Sequence, residues 1–230
     1  HALHAGMHVI AVSKGALALH GQELLQTAKT HGVQVWVSGA TAAALPTVDF
    51  VQRQLAGCEI LAIEGIFTST ANFILNQMMH AGMGFDAALR QAQEAGIAEA
   101  DSRFDTEGWD TAAKITIIAN TLFGTALNVN HLPRQGITDL QAADMATWQA
   151  QGLMPRLIGY VRCEQGQVRA GVEVRALDPQ EVFYHVQGKN KAMRVVTAEM
   201  GELCVQGGAS SPQATAAAAL KDLENLLKTW

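Results

Sequence analysis

The order of apolar and polar positions divides the chain into two halves of different character. His8 to Ser13 (HVIAVS) is a compact β-rich run after the turn-forming Gly6 and reads as a buried strand. A helix is predicted from Gly21 to His31, closed by Gly32, and Val33 to Val37 (VQVWV) is a second β-run. Strand, helix and strand in this compass form one α/β crossover. Pro46 is placed to open a helix reaching Leu55, and Glu59 to Phe67 (EILAIEGIF) reads as a strand covered on both faces. Thr70 to His80 carries Phe73, Ile74, Gln77 and Met78 at helical spacing. Asp86 is positioned to cap the next helix, which ends at Gly96. An acidic loop then leads to an apolar helix from Thr111 to Leu122, stopped by Gly124.

Beyond that point the pattern changes. Asp139 to Ala150 reads as a short polar helix, and Arg156 to Arg162 begins a strand. Gln167 to Arg175 (QVRAGVEVR) alternates as an antiparallel strand does. Met193 to Ala198 and Glu202 to Gln206 form a hairpin around Gly201, and the loop Gly207 to Pro212 precedes a terminal helix from Gln213 to Lys228. The fold class is therefore α/β: the end of a doubly wound domain, followed by an α+β domain with a mixed sheet covered by helices. A doubly wound dinucleotide domain normally starts with a GxGxxG phosphate loop. No such motif occurs here, so that segment is expected to lie upstream or to be missing.

Composition adds a few limits. Hydrophobic residues make up 49% and charged residues 16% of 230, the balance of a globular protein with little surface charge. Abundant alanine and low charge suggest that part of the surface is covered by another domain or subunit. The net charge of −5, the scattered lysines and arginines and an aromatic content of 6% argue against nucleic acid as a partner. Apolar runs are too short for a membrane span, and the residues after His1 are not a signal peptide. An internal start is expected, with no regulatory domain after the closing helix. Cys58, Cys163 and Cys204 are far apart and form no CxxC pair, so they read as buried thiols in a reducing, cytoplasmic setting. The eight histidines read as non-ligands, and no metal site is expected.

The candidate chemistry lies in residues 96–114. Glu99, Asp101, Asp105, Glu107 and Asp110 crowd the approach to an apolar helix, and Lys114 follows Asp110 by one helical turn. Asp110 occupies the helix N-terminus, where free N–H groups and the dipole favour a negative charge. A buried lysine beside carboxylates is a credible general acid or base, because burial favours its neutral form and the acids favour its charged form. Fixed carboxylates also suit a substrate with a cationic amino group. The same spacing is met equally by a capping aspartate with a surface salt bridge, worth about 0.3–0.5 kcal/mol.

The wording of this segment resembles the homoserine dehydrogenase family, and the resemblance extends over nearly the whole chain. Ala5 to Lys14 (AGMHVIAVSK) is similar to the family's strand that ends in a functional lysine. Glu64-Gly65-Ile66-Phe67 with Thr70, Asn72, Phe73, Ile74 and Leu75 is similar to its strand-to-helix segment. Gly136-Ile137, Asp144 and Leu157-Ile158 follow a further stretch, and Gly208-Ala209 with Ala214-Thr215-Ala216 resembles its closing loop and helix.

The resemblance implies a Rossmann-like remnant over residues 1–45, a substrate-binding and dimerisation domain over 46–206, and a closing loop and helix over 207–230. It implies NAD(P)-dependent interconversion of aspartate semialdehyde and homoserine, on the way to threonine and methionine. Lys114 would exchange a proton with the substrate hydroxyl, with Lys14 as its partner at the nicotinamide end. Glu99, Asp105 and Asp110 would hold the amino acid and orient Lys114, and Thr70 would line the pocket. Ser13, Lys14 and Gly208 would contact NADP or NAD. A homodimer built through the mixed sheet is implied as well.

Three departures from the family pattern surround this site. Ser38 stands in place of a glutamate, and Ala42, Ala43 and Ala44 stand in place of a glycine-rich run before Leu45-Pro46. That glutamate helps the family bind a monovalent cation, together with backbone carbonyls at positions matching Thr41, Ala43 and Leu45; losing a charged ligand weakens such a site. Ser69 and Ser210 also replace glycines. These changes keep two alternatives open: a divergent dehydrogenase for another amino-acid aldehyde or ketone, and a non-catalytic dimerisation module without a phosphate loop.

Overall fold

The computed structural model describes residues 1–228; positions 229 and 230 of the expected closing segment lie outside the described residues. Strands β1 (Val9–Ile10) and β2 (Val35–Trp36) pair in parallel and are joined by α1 (Lys14–Thr30). The crossover is therefore present, but its helix starts at Lys14 rather than Gly21. The two pieces of α1 meet at a kink at His20. The glycine in Lys14-Gly15 and the lack of a clean polar face hide the first piece in the sequence. It forms because Leu17, Ala18 and Gly21 are buried in packing against a later helix, α7.

Two short helices follow, α2 (Ser38–Ala42) and α3 (Val48–Gln54). α2 was not expected. Pro46 does not open α3, because Thr47 caps it and its N–H donates to Asp49 Oδ1 at 3.1 Å. Strand β3 (Ile60–Ile66) leads into α4 (Ser69–Ala81) and α5 (Phe85–Glu94). Asp86 falls in the first turn of α5, whose N-cap is Gly84. The expected acidic loop contains a further short helix, α6 (Arg103–Thr106), before α7 (Trp109–Leu122) and α8 (Ala142–Ala150). Strands β4 (Met154–Glu164), β5 (Gln167–Leu177), β6 (Lys191–Thr197) and β7 (Gly201–Gly207) precede the terminal α9 (Pro212–Leu227).

The larger sheet has the order β5-β4-β3-β6-β7, and every pairing in it is antiparallel. The expectation of a mixed sheet is corrected on this point. Two tight hairpins, β4–β5 and β6–β7, impose antiparallel neighbours, and β3 runs against both β4 and β6. Among the described residues the named strands pair in parallel only at β1–β2, and one isolated parallel bridge joins Arg134 to Val172 of β5. The cysteine expectation is corrected too: all three are free thiols, but Cys58 and Cys163 are half-buried and Cys204 is exposed. Cys204 lies on edge strand β7, whose alternate residues are exposed.

Helices α4 and α7 lie on one face of this sheet. α7 buries Ile115, Ile117 and Ile118 almost completely, together with Thr111 and Thr116, so it is enclosed on all sides. Burial of each isoleucine stabilises the fold by about 1.5–3 kcal/mol. The approach is close at Gly159 of β4. A Cβ there would stand 2.6 Å from Ile115 Cγ1 and 2.7 Å from Thr111 Cγ2, so only glycine lets α7 sit this deep. The helix carrying Asp110 and Lys114 is thereby locked to the sheet. The terminal α9 packs on α2 and beside β1. The Asp222 carboxylate, fully buried, accepts the Ser38 N–H at 3.0 Å.

Candidate active site

The candidate site forms where β3 ends, α7 begins and α1 starts. Asp110, buried in the first turn of α7, takes a lysine on each oxygen. Lys114 Nζ lies 2.5 Å from Oδ2, and Lys14 Nζ lies 3.0 Å from Oδ1. Thr68 Oγ1 donates to Oδ2 at 2.7 Å and lies 2.8 Å from Thr111 Oγ1. Lys114 also donates to the Phe67 carbonyl at 2.7 Å, just past β3. The sequence spacing allowed a surface salt bridge, but the pair is internal: the Lys114 side chain is 13% exposed and that of Asp110 7%. Lys14 keeps 34% of its side chain in solvent, so it faces the open side.

Burial pushes the Asp110 carboxyl upward. The charges of Lys114 and Lys14, with hydrogen bonds from Lys114 and Thr68, outweigh that and hold its pKa at about 2. Its folded pKa therefore lies below the ordinary 3.8, so its contribution is present above pH 3.8 and is lost as pH falls through 2. The difference corresponds to about 2 kcal/mol. The stability gap between the wild-type chain and Asp110→Asn should narrow by about that amount between pH 5 and pH 2 in denaturant melts. A gap that stays constant with pH would show that the carboxylate charge contributes nothing.

Asp105 has the opposite tendency. Burial raises its pKa, the hydrogen bond from Thr70 lowers it, the neighbouring Asp110 raises it, and Lys114 and Lys14 lower it. The Thr70 hydroxyl, buried in the first turn of α4, lies 3.1 Å from the Ile97 carbonyl as well, and its single proton serves one of the two acceptors at a time. The structure thus brings Asp105, Asp110, Lys14, Lys114 and Thr70 together.

It does not gather the whole acidic run. Glu99 is exposed, and Gln93 Nε2 donates to its main-chain carbonyl at 3.2 Å. Asp101 pairs with Arg103 on the surface at 2.6 Å, and Glu107 accepts from Trp109 Nε1 at 3.2 Å. Ser13 caps α1 through its backbone position and is exposed, with no side-chain capping bond.

Gly208 has φ +78°, and a Cβ there would meet Leu45 N at 2.5 Å. This close approach presses the loop after β7 onto the Ala44–Leu45 turn. The same turn holds Ala43 at φ 53°, a left-handed conformation that a glycine adopts without cost. The two serines that depart from the resemblance meet across the gap, with Ser69 Oγ 3.1 Å from Ser210 Oγ.

Sequence reasoning missed Lys191. It is 1% exposed, and its ammonium donates to the Ala42 carbonyl at 2.6 Å and lies 3.5 Å from the Ala209 carbonyl. Burial and the nearby Lys114 lower its pKa to about 8, against the opposing pull of Asp110. The available signal was its place in the alternation of β6, on the inward side with Met193 and Val195. The sequence pattern predicts this strand only from Met193, two residues short of its start, which puts Lys191 outside it. Thr68 was missed because a threonine between strand and helix carries no distinctive pattern.

A profile described as homoserine dehydrogenase matches residues 46–223. The NAD(+)-dependent homoserine dehydrogenase of Pseudomonas canavaninivorans is 34% identical over 223 residues, which span 96% of this chain and 63% of that protein. The homoserine dehydrogenase of Methanocaldococcus jannaschii is 35% identical over 218 residues, 94% of this chain and 63% of that one. The crystal structure of a homoserine dehydrogenase from Thiobacillus denitrificans superposes with a TM-score of 0.91 at 30% identity, covering 96% of this chain and 52% of that chain. The chain thus spans less than two-thirds of the length of these relatives. With the profile covering most of its residues and these relatives matching nearly all of it, the chain belongs to the homoserine dehydrogenase family.

Proposed function

We propose that this chain supplies the substrate-binding and proton-transfer half of an NAD(P)-dependent homoserine dehydrogenase, interconverting aspartate semialdehyde and homoserine. The observation that carries the reading is the Asp110 carboxylate held between Lys114 and Lys14 at the end of a buried helix. Lys114 is anchored on two sides and offers its remaining proton at a fixed point. A proton held there stabilises the alkoxide that develops when a carbonyl is reduced, and the same group takes the proton back in the reverse direction. Asp110 orients both lysines through its two oxygens. Glu99, Asp105 and Thr70 are assigned to the amino-acid end of the substrate. The placing of Asp105 beside Thr70 supports this for those two, while Glu99 rests on the resemblance alone.

Ser13, Lys14 and Gly208 are assigned to the cofactor, NADP or NAD. The fit is supported by the end of β1. Val12 is 44% exposed there and Ser13 is exposed, directly before the N-terminus of α1, the position where α/β folds bind ligands. A bound nicotinamide would supply the hydride. The Pseudomonas canavaninivorans relative is named as NAD(+)-dependent, which favours NAD among the two.

A homodimer through the outer face of the larger sheet belongs to the same reading. Tyr160, Val196 and the arginines around Glu64 remain half-buried there, on the face away from α4 and α7. A cytoplasmic location is also part of it; among the described residues no helix is long and apolar enough to cross a membrane.

Steady-state assays of the complete enzyme with aspartate semialdehyde and NADH or NADPH test the proposal. Turnover with this aldehyde is expected from a species of twice the subunit mass by light scattering. No turnover with either cofactor would refute the assignment, and a monomeric mass would refute the dimer.

A further inference from the structure

The buried Lys191 ammonium is unlike the other lysines of the site. Lys14 and Lys114 each face a carboxylate, whereas among the described residues no ion pair reaches Lys191. Its oxygen neighbours are main-chain carbonyls: Ala42 at 2.6 Å, from the end of α2, and Ala209 at 3.5 Å, from the loop after β7. These carbonyls come from segments far apart in sequence, and the lysine itself starts β6, opposite Gly207.

A buried charge is costly unless its surroundings replace the lost water. An ammonium coordinated by neutral carbonyl oxygens sits in the kind of environment that also suits a potassium or ammonium ion. The position explains why the charge is retained. Gly208 already presses its backbone against Leu45, and Ala43 holds a strained φ of 53° in the same turn. A cation between the two segments draws their carbonyl dipoles to one point and offsets that strain. Both segments border the site, since Ser210 of the loop reaches Ser69 at the start of α4.

We propose that Lys191 is a built-in monovalent cation: its ammonium fastens the Ala42–Leu45 turn to the Gly207–Ser210 loop, so the chain needs no dissolved cation at this point. Lys191 acts through the two segments and is a positioning residue, not a catalytic one. Its effect on turnover rests on the proposed dehydrogenase reading; its effect on stability does not.

The test compares the wild type and Lys191→Met at neutral pH, in potassium or ammonium chloride and in tetramethylammonium chloride of equal ionic strength. Tetramethylammonium is too large for the space and cannot donate a hydrogen bond. The wild-type Tm and kcat/KM should be the same in all three salts. Lys191→Met should melt lower in tetramethylammonium and recover in potassium or ammonium, by about 3–6 °C when the cation is tenfold above its Kd. In the complete enzyme the same salts should restore kcat/KM, chiefly through KM, because the segments that frame the site are re-fastened.

A wild type that is stabilised specifically by potassium overturns the proposal. So does a Lys191→Met chain that melts like the wild type in tetramethylammonium, or one that is destabilised and gains nothing from either small cation. If Lys191→Met does not fold in any of these salts, small cations cannot replace the ammonium and the proposal fails. A melting-temperature recovery without turnover would keep the cation role and sink the dehydrogenase reading instead.

Discussion

Lys114→Ala in the complete enzyme should lower kcat by about a thousandfold or more, with KM little changed, while the chain stays folded. The size follows from two losses at one atom: a positioned proton donor, and a positive charge beside the developing alkoxide. The split between kcat and KM follows because such a group acts in the transition state rather than in substrate binding. Folding should survive because the substitution does not strand a charge. Asp110 keeps Lys14 on Oδ1 at 3.0 Å and the Thr68 hydroxyl on Oδ2 at 2.7 Å. Lys114→Arg should be nearly as poor. The ammonium fits between the Phe67 carbonyl and Asp110, and a planar guanidinium cannot make both contacts from the same helix position. A near-normal kcat in Lys114→Ala, with an unchanged melting temperature, would reduce the pair to a structural salt bridge.

Glu64→Gln should strongly destabilise the fold, although it lies outside the site. Glu64 lies 2% exposed at the centre of the larger sheet, on the face opposite α7. Arg162 contacts Oε1 at 2.6 Å, while Arg194 and Arg175 contact Oε2 at 2.8 and 3.2 Å. Burial raises its pKa, but Arg175, Arg162 and Arg194 outweigh this and hold it below the usual carboxylate value. Removing the charge takes away the carboxylate that the three guanidinium groups share and leaves them only the more exposed Glu173, at 3.2 Å from Arg175 and 3.6 Å from Arg162, and Glu202, at 3.2 Å from Arg194. Breaking a buried pair costs about 3–5 kcal/mol. The arginine side chains keep 25–32% of their surface in solvent, which moves the expectation to the low end. About 3 kcal/mol corresponds to a Tm lower by about 6–12 °C. Asp101→Asn is the control: its pair with Arg103 is exposed, and Tm should not move. Equal melting temperatures for Glu64→Gln and Asp101→Asn would show that the arginines relax into solvent. This experiment needs no activity, so it tests the sheet independently of the proposed chemistry.

The legible parts of the sequence were those with local causes. Thr111 to Leu122 reads as a helix from its own apolar residues, and Asp110 and Lys114 share a face because one helical turn separates them. The alternation in Gln167 to Arg175 marks a strand, and Gly201 marks the hairpin that forms. The acidic run was legible as a cluster but not as a site, because composition does not say which carboxylates turn inward. Asp105 and Asp110 do; Asp101 turns out to Arg103 and Glu99 to solvent.

What the sequence determined by itself was most of the longer elements, the helix that carries Asp110 and Lys114, and, through resemblance, the family. These follow from side-chain periodicity and local backbone preferences, which act over a few residues. Tertiary structure decided the rest. Only the packing of α1 against α7 brings Lys14 to the second oxygen of Asp110, across nearly a hundred positions. Only the return of α9 puts the Asp222 carboxylate on Ser38 and gives α2 its start. Only the pairing of β6 with β3 and β7 drives Lys191 inward to the Ala42 carbonyl. A charge becomes a partner, a cap or an internal cation through distance and burial, and neither is a property of the chain read in order.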